Sequence, residues 1–173
     1  AAKFCPWAVT LYERNAPRDR RKFGYGTASH EHFAGVVDRV DLDELFRRLV
    51  SVGRTGEDAE GPLSVDAVME GCDLARSWIR VHGLPEDARA EVPLGMDREG
   101  KPCDHATAYV RTRIDLLAPY HDEADDLDGV LVRDWKGSWH AEDELDTLQR
   151  KIQAVLAWDA YPDAEIVRLE IGG

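Results

Sequence analysis

Val130-Leu131-Val132 runs into Asp134, one spacer, Lys136 and then Gly137-Ser138. Side chains two apart on a strand share a face, so a strand over Leu127–Lys136 turns Asp134 and Lys136 the same way at its open end. Taken alone, that is an exposed ion pair of little energetic weight. A second strand-like run, Thr107–Leu117, carries Arg113-Ile114-Asp115. Antiparallel pairing of the two runs, joined through the acidic stretch Ala118–Asp128, brings Asp115 close to Asp134. Two converging carboxylates repel unless a cation lies between them, and hard divalent cations take oxygen ligands. The spacing points to a divalent-cation site with a lysine at its side. Truncating Asp134 or Lys136 at an open strand end is expected to change stability little.

Those two strands need a scaffold. Phe4–Tyr12 is apolar and aromatic, and Asn15–Lys22 reads as a basic connector. Gly24-Tyr25-Gly26 is expected to break the chain, with Thr27 or Ser29 capping a helix through about Val37. Asp41 caps a second helix bearing Leu42, Leu45, Phe46 and Leu49 on one face, with Gly53 at its end. Ser64–His82 is amphipathic, with Val65, Val68, Met69, Cys72, Ala75, Trp78 and Ile79 on one stripe, stopped by Gly83 and Pro85. Glu91–Met96 opens the strands, followed by turn chemistry at Asp97–Pro102. Ala141–Trp158 is a helix with Leu145, Leu148, Ile152, Val155 and Leu156 as its buried stripe, and Glu165–Ile171 is a last strand. The expected class is α/β: a mainly helical part over 1–85, then a β-β-β-α-β mixed sheet over 86–173, together one domain.

The chain has 173 residues, 43% of them hydrophobic, which suffices for one domain with a real core. It shows neither an apolar run long enough for a transmembrane helix nor a signal-peptide pattern at Ala1–Cys5, so a cytoplasmic location is expected. Three scattered cysteines (Cys5, Cys72, Cys103) fit neither a disulfide framework nor a four-thiolate cage. The net charge of −12, from 34 acidic and 22 basic residues, speaks against a polyanion partner on its own. Basic residues nevertheless cluster at Arg18, Arg20, Arg21 and Lys22, candidates for nucleic-acid contact together with Trp139, which can stack on bases.

Four short motifs stand in order: Gly26-Thr27-Ala28-Ser29-His30 at a helix start, Arg113-Ile114-Asp115 on a strand, Asp134-Trp135-Lys136 on the next, and Leu148-Gln149 in the following helix. In order and spacing the chain resembles the PD-(D/E)xK nuclease superfamily, in its RecB-like branch, which includes RecB and AddB nuclease domains and CRISPR-associated RecB-like exonucleases. Cys5-Pro6-Trp7, shortly before the histidine motif, shares the likeness. Gln153 stands where that branch has Tyr. The resemblance implies a restriction-endonuclease-like core forming a single RecB-like nuclease domain over 1–173. It implies that Asp115, Asp134, His30 and the main-chain carbonyl of Trp135 hold Mg2+ or Mn2+, that Lys136 holds or deprotonates the attacking water, and that Gln149 orients that lysine or the phosphate.

The activity implied by this likeness is that of a metal-dependent deoxyribonuclease, an exonuclease on single-stranded or frayed DNA ends in repair, recombination or phage- and CRISPR-type DNA processing. A helicase or recombination protein is the implied partner, and no iron–sulfur cluster is expected in this segment. The rival expectation is a degenerate nuclease fold that binds DNA or protein without chemistry. His32, His105, His121 and His140 are expected to be structural or exposed.

Overall fold

The structure, a computed structural model, describes residues 20–54, 61–135 and 147–172. Three helices come first: α1 (Arg20–Val37), α2 (Leu42–Ser51) and α3 (Val65–His82). Strands β1 (Arg89–Met96), β2 (Val110–Asp122) and β3 (Leu127–Trp135) follow, then helix α4 (Leu148–Ala160) and strand β4 (Ile166–Gly172). The sheet order is β1-β2-β3-β4. The first three strands are antiparallel, and β4 lies parallel to β3 after the crossover through α4. The expected α/β class with a mixed sheet is therefore observed.

Local chemistry sets most of the boundaries. Asp41 Oδ1 accepts from the N–H groups of Asp43 and Glu44 at 2.9 and 3.1 Å, and Ser64 Oγ accepts from Ala67 N–H at 3.2 Å. Each such cap contributes about 1 kcal/mol. Gly83, at φ 69, ends α3 in a backbone state that a side chain disfavours.

Helix α1 departs from expectation. It runs straight through Gly24-Tyr25-Gly26 instead of starting after them, and Arg20–Lys22 belong to it rather than to a connector. The reason lies on α3: a Cβ on Gly71 would sit 2.5 Å from the Tyr25 carbonyl oxygen and 2.9 Å from the Ala28 Cβ. The two helices approach so closely that small residues are required at the contact, and this packing offsets the roughly 1 kcal/mol that a helical glycine forfeits against alanine. The Ser29 hydroxyl, expected to cap, donates to the Gly26 carbonyl at 2.9 Å within the helix.

Strand β2 starts later and runs further than expected, to Asp122, and the connection to β3 shrinks to the turn 123–126. The acidic residues read as loop, yet Leu116 and Ala118 alternate onto one buried face and Tyr120 packs behind them. That apolar alternation carries the pairing past Pro119, which sits opposite Val130.

Helix α4 begins at Leu148 with Thr147 as its N-cap and runs to Ala160, and residues 141–146 of the expected span lie outside the described residues, Leu145 among them. Its inward face differs from the apolar stripe expected. Leu148 and Val155 are exposed, while Arg150, Gln153, Leu156 and Ala157 are buried. Val65 and Met69 of α3 are likewise exposed.

Three clusters make the core. Ala28, Leu45, Leu49, Val68 and Cys72 join the three leading helices. Phe33, Ala75, Leu116, Ala118, Leu131 and Trp135 seat α1 and α3 on one sheet face. Ile114, Leu117, Val130 and Val132 pack with Ala157 of α4 on the other. The sheet is thus held between helices on both faces, each buried leucine or valine contributing about 1.5–3 kcal/mol.

Candidate metal centre

The paired register of β2 with β3 closes at Leu116↔Arg133. One step further, Asp115 stands opposite Asp134, and its Oδ2 accepts the Trp135 main-chain N–H at 2.8 Å. A side chain thus takes a donor at the end of the ladder. On the other flank, the pairs Ala90↔Leu116 and Val92↔Ile114 bracket Glu91 opposite Asp115. From α1, His30 reaches across: its Nε2–H donates to the Trp135 carbonyl at 3.1 Å, and its Nδ1 lies 3.6 Å from Asp115 Oδ2. Ligand atoms of His30, Glu91 and Asp115 all fall within 4.8 Å of one another.

Trp135 itself is anchored. Its indole is buried, stacked on Phe33 at 3.5 Å between ring centroids and edge-on to Trp78 at 4.3 Å. The ring locks the backbone whose carbonyl faces His30, so core packing positions a site atom.

Glu91 is absent from the sequence-derived set. An acid inside an otherwise apolar strand was the available signal, but its partner across β2 depends on register. Its backbone is also unusual, with φ 49 in the midst of β1. Left-handed backbone at a non-glycine residue carries strain of about 1–3 kcal/mol and tends to occur at functional sites.

Asp134 is placed differently from the picture of an open strand end. It is buried and ion-paired to Arg150 of α4, which is buried as well. The Arg150 guanidinium also donates to Gln153 Oε1, and Gln153 Nε2 donates to the Arg113 carbonyl at 3.4 Å. Gln153 therefore ties α4 to the strand that bears Asp115. The open strand end on which the expectation of a small stability change rested is overturned: Asp134 is buried against Arg150, and its removal is expected to strand a buried guanidinium.

Among the remaining expected residues, Lys136, Trp139 and Arg18 lie outside the described residues, as do Cys5 and His140. Of Arg20, Arg21 and Lys22 only the helical backbone is described. Gln149 is exposed on the first turn of α4, one residue from Arg150 but outside the cluster. His32 is buried on α1, and His121 is exposed and pairs with Asp128 at 2.9 Å.

The electrostatics of the cluster favour a cation. Burial opposes a charged His30, yet its close contact with Asp115 and the charges of Asp115, Glu91 and Asp134 outweigh that, and its pKa is raised above the ordinary histidine value. Burial and the neighbouring Asp115 push the Glu91 pKa up, against the opposing pull of Arg54, His30 and Arg113. One imidazole, two carboxylates and a main-chain carbonyl form a donor set of the kind that suits Mn2+, with Mg2+ favouring the oxygens.

No protein family, curated protein or solved structure matches this chain. Among the described residues no helix is long and apolar enough to cross a membrane.

Proposed function

We propose that this chain is a Mg2+- or Mn2+-dependent deoxyribonuclease with a PD-(D/E)xK core of RecB-like type, acting as an exonuclease on single-stranded or frayed DNA ends. The observation that carries the reading is the convergence of His30, Glu91 and Asp115 at the end of the β2–β3 ladder, with the Trp135 carbonyl hydrogen-bonded to the same histidine. The β-β-β-α-β order supports it. These four groups would hold the ion, with Asp134 behind them. A bound divalent ion supplies positive charge for the oxygens of the phosphodiester and lowers the pKa of water beside it. Asp115 orients the Trp135 peptide through its N–H, and Phe33 fixes the indole, so the carbonyl is held for the ion before it arrives. Lys136, next along the chain, is the residue assigned to position the attacking water.

End-labelled single- and double-stranded DNA incubated with Mn2+, Mg2+ or EDTA tests this directly. Metal-dependent shortening from an end is expected, abolished in Asp115→Asn and Lys136→Ala, with Mn2+ affinity lost only in the former. Intact DNA under every metal condition sinks the reading.

One observation favours a second reading, a DNA-binding or protein-interaction module built on a degenerate nuclease fold. Arg150 already neutralises Asp134, and Gln153 fills the place of the tyrosine that the resemblance calls for. That reading expects DNA or protein binding with no strand cleavage.

A further inference from the structure

Around the cluster runs a chain of charges that metal binding must rearrange. Glu31, the residue after His30 on α1, accepts from Arg48 Nη2 at 2.7 Å and from Arg54 Nε at 3.1 Å. Arg54 then extends its Nη2 to Glu91 Oε2 at 3.4 Å. The same Glu91 oxygen lies 3.9 Å from Arg113 Nη1. Two guanidiniums from different elements thus share one carboxylate oxygen at long range, while that carboxylate belongs to the candidate cation cluster. Arg113 is only half covered, with 43% of its side chain exposed, and Glu91 at 3.9 Å is its one ionic contact among the described residues.

Resting on the metal-site reading above, we propose that Arg54 and Arg113 form the subsite for a substrate phosphate beside the ion, and that the ion switches this subsite on. Before the ion arrives, Glu91 occupies both guanidiniums. Once it turns its charge to the ion, Glu31 remains matched by Arg48, Asp134 by Arg150, and the ion with Glu91 and Asp115 balances. Arg113, half exposed at the edge of the site, is then left without a carboxylate, and Arg54 keeps only the share of Glu31 that Arg48 leaves it. A phosphodiester bearing one negative charge fits that vacancy, and the planar fork of arginine suits two of its oxygens. Before metal binding, Glu91 screens the same arginines, so nucleic acid has little to hold. Binding is thereby ordered, with ion first and strand second, which also explains how a chain of net charge −12 can take a polyanion.

The test uses Mn2+ and a short single-stranded phosphorothioate oligonucleotide, which keeps the backbone charge and resists hydrolysis, with an uncharged methylphosphonate oligonucleotide as control. Calorimetry gives Mn2+ affinity without nucleic acid, and fluorescence anisotropy gives oligonucleotide affinity with and without Mn2+. Mn2+ is expected to strengthen binding of the charged oligonucleotide to the wild type by at least about tenfold, the scale of one or two charge-assisted hydrogen bonds, and to leave the methylphosphonate unaffected. Arg54→Met and Arg113→Met should each tighten Mn2+ binding severalfold, because a competitor for Glu91 is gone. Each should also remove most of the Mn2+-dependent gain and flatten its salt dependence. Arg113→Lys, which keeps the charge, should recover part of that gain. A purely structural role would weaken both affinities together. Wild-type Mn2+ binding with unchanged oligonucleotide affinity in both methionine variants overturns the phosphate subsite alone. A wild type that binds no Mn2+ overturns the metal site and the subsite with it.

Discussion

Replacing Arg150 by methionine perturbs the molecule where fold and site meet. The side chains of Arg150 and Asp134 are 1% and 6% exposed, and they form an ion pair. Methionine keeps most of the volume, so the change deletes a charge rather than opening a large cavity. Asp134 is then left as a buried carboxylate deprived of its cation, a loss worth about 3–5 kcal/mol. Gln153 Oε1 loses a charged donor in the same step. For a domain of this size each kcal/mol shifts the melting temperature by about 2–4 °C, so a fall of about 6–20 °C is expected. Urea and thermal unfolding of metal-free protein measure it, and adding Asp134→Asn to Arg150→Met should restore much of the stability. Mn2+ sharpens the test. If Asp134 faces the ion, the variant exchanges its lost guanidinium for a metal, and Mn2+ at about a hundred times its dissociation constant returns about 2.7 kcal/mol. A loss below about 1 kcal/mol, the range of an exposed pair, would refute the buried-pair reasoning. A full loss with no greater Mn2+ rescue than in the wild type would show that Asp134 stands apart from the metal.

Packing and electrostatics give two further expected outcomes. Gly71→Ala puts a Cβ 2.5 Å from the Tyr25 carbonyl, forcing α1 and α3 apart, and should destabilise by about 1–3 kcal/mol in chemical denaturation; wild-type stability would mean that the helices are not in that contact. The raised pKa values of His30 and Glu91 mean that folded, metal-free protein holds protons there more tightly than the unfolded chain, so their contribution is present at low pH and lost as pH rises through the folded values. Mn2+ competes with those same protons, so calorimetric affinity should climb over that window; affinity independent of pH would remove His30 and Glu91 from the ligand set.

Much of this architecture is written locally. Asp41 and Ser64 announce their helices because a cap is a bond between a side chain and backbone N–H groups two or three residues on. The alternation in β3 and the breaks at Gly53 and Gly83 are similarly readable, and so is the pairing that sets Asp115 beside Asp134. The candidate site is half legible for the same reason: His30, Asp115 and the Trp135 carbonyl belong to short motifs whose elements can be placed in order. Periodicity does not show which side chains meet across elements. Glu91 joins the cluster only through the register of β1 on β2. Arg150 has the local context of a solvated helix residue, and only the rotation of α4 turns it onto Asp134, because a buried charge is tolerable only where an opposite charge waits for it. Gly24 and Gly26 read as breakers until α3 packs beside them, with Ala67 against Gly24 and Gly71 against Tyr25 and Ala28. Helix caps and strand alternation depend on neighbours a few residues away, and the sequence determines them by itself. Charge pairing, register and close helix contact depend on residues tens of positions apart, and only the packed chain decides them.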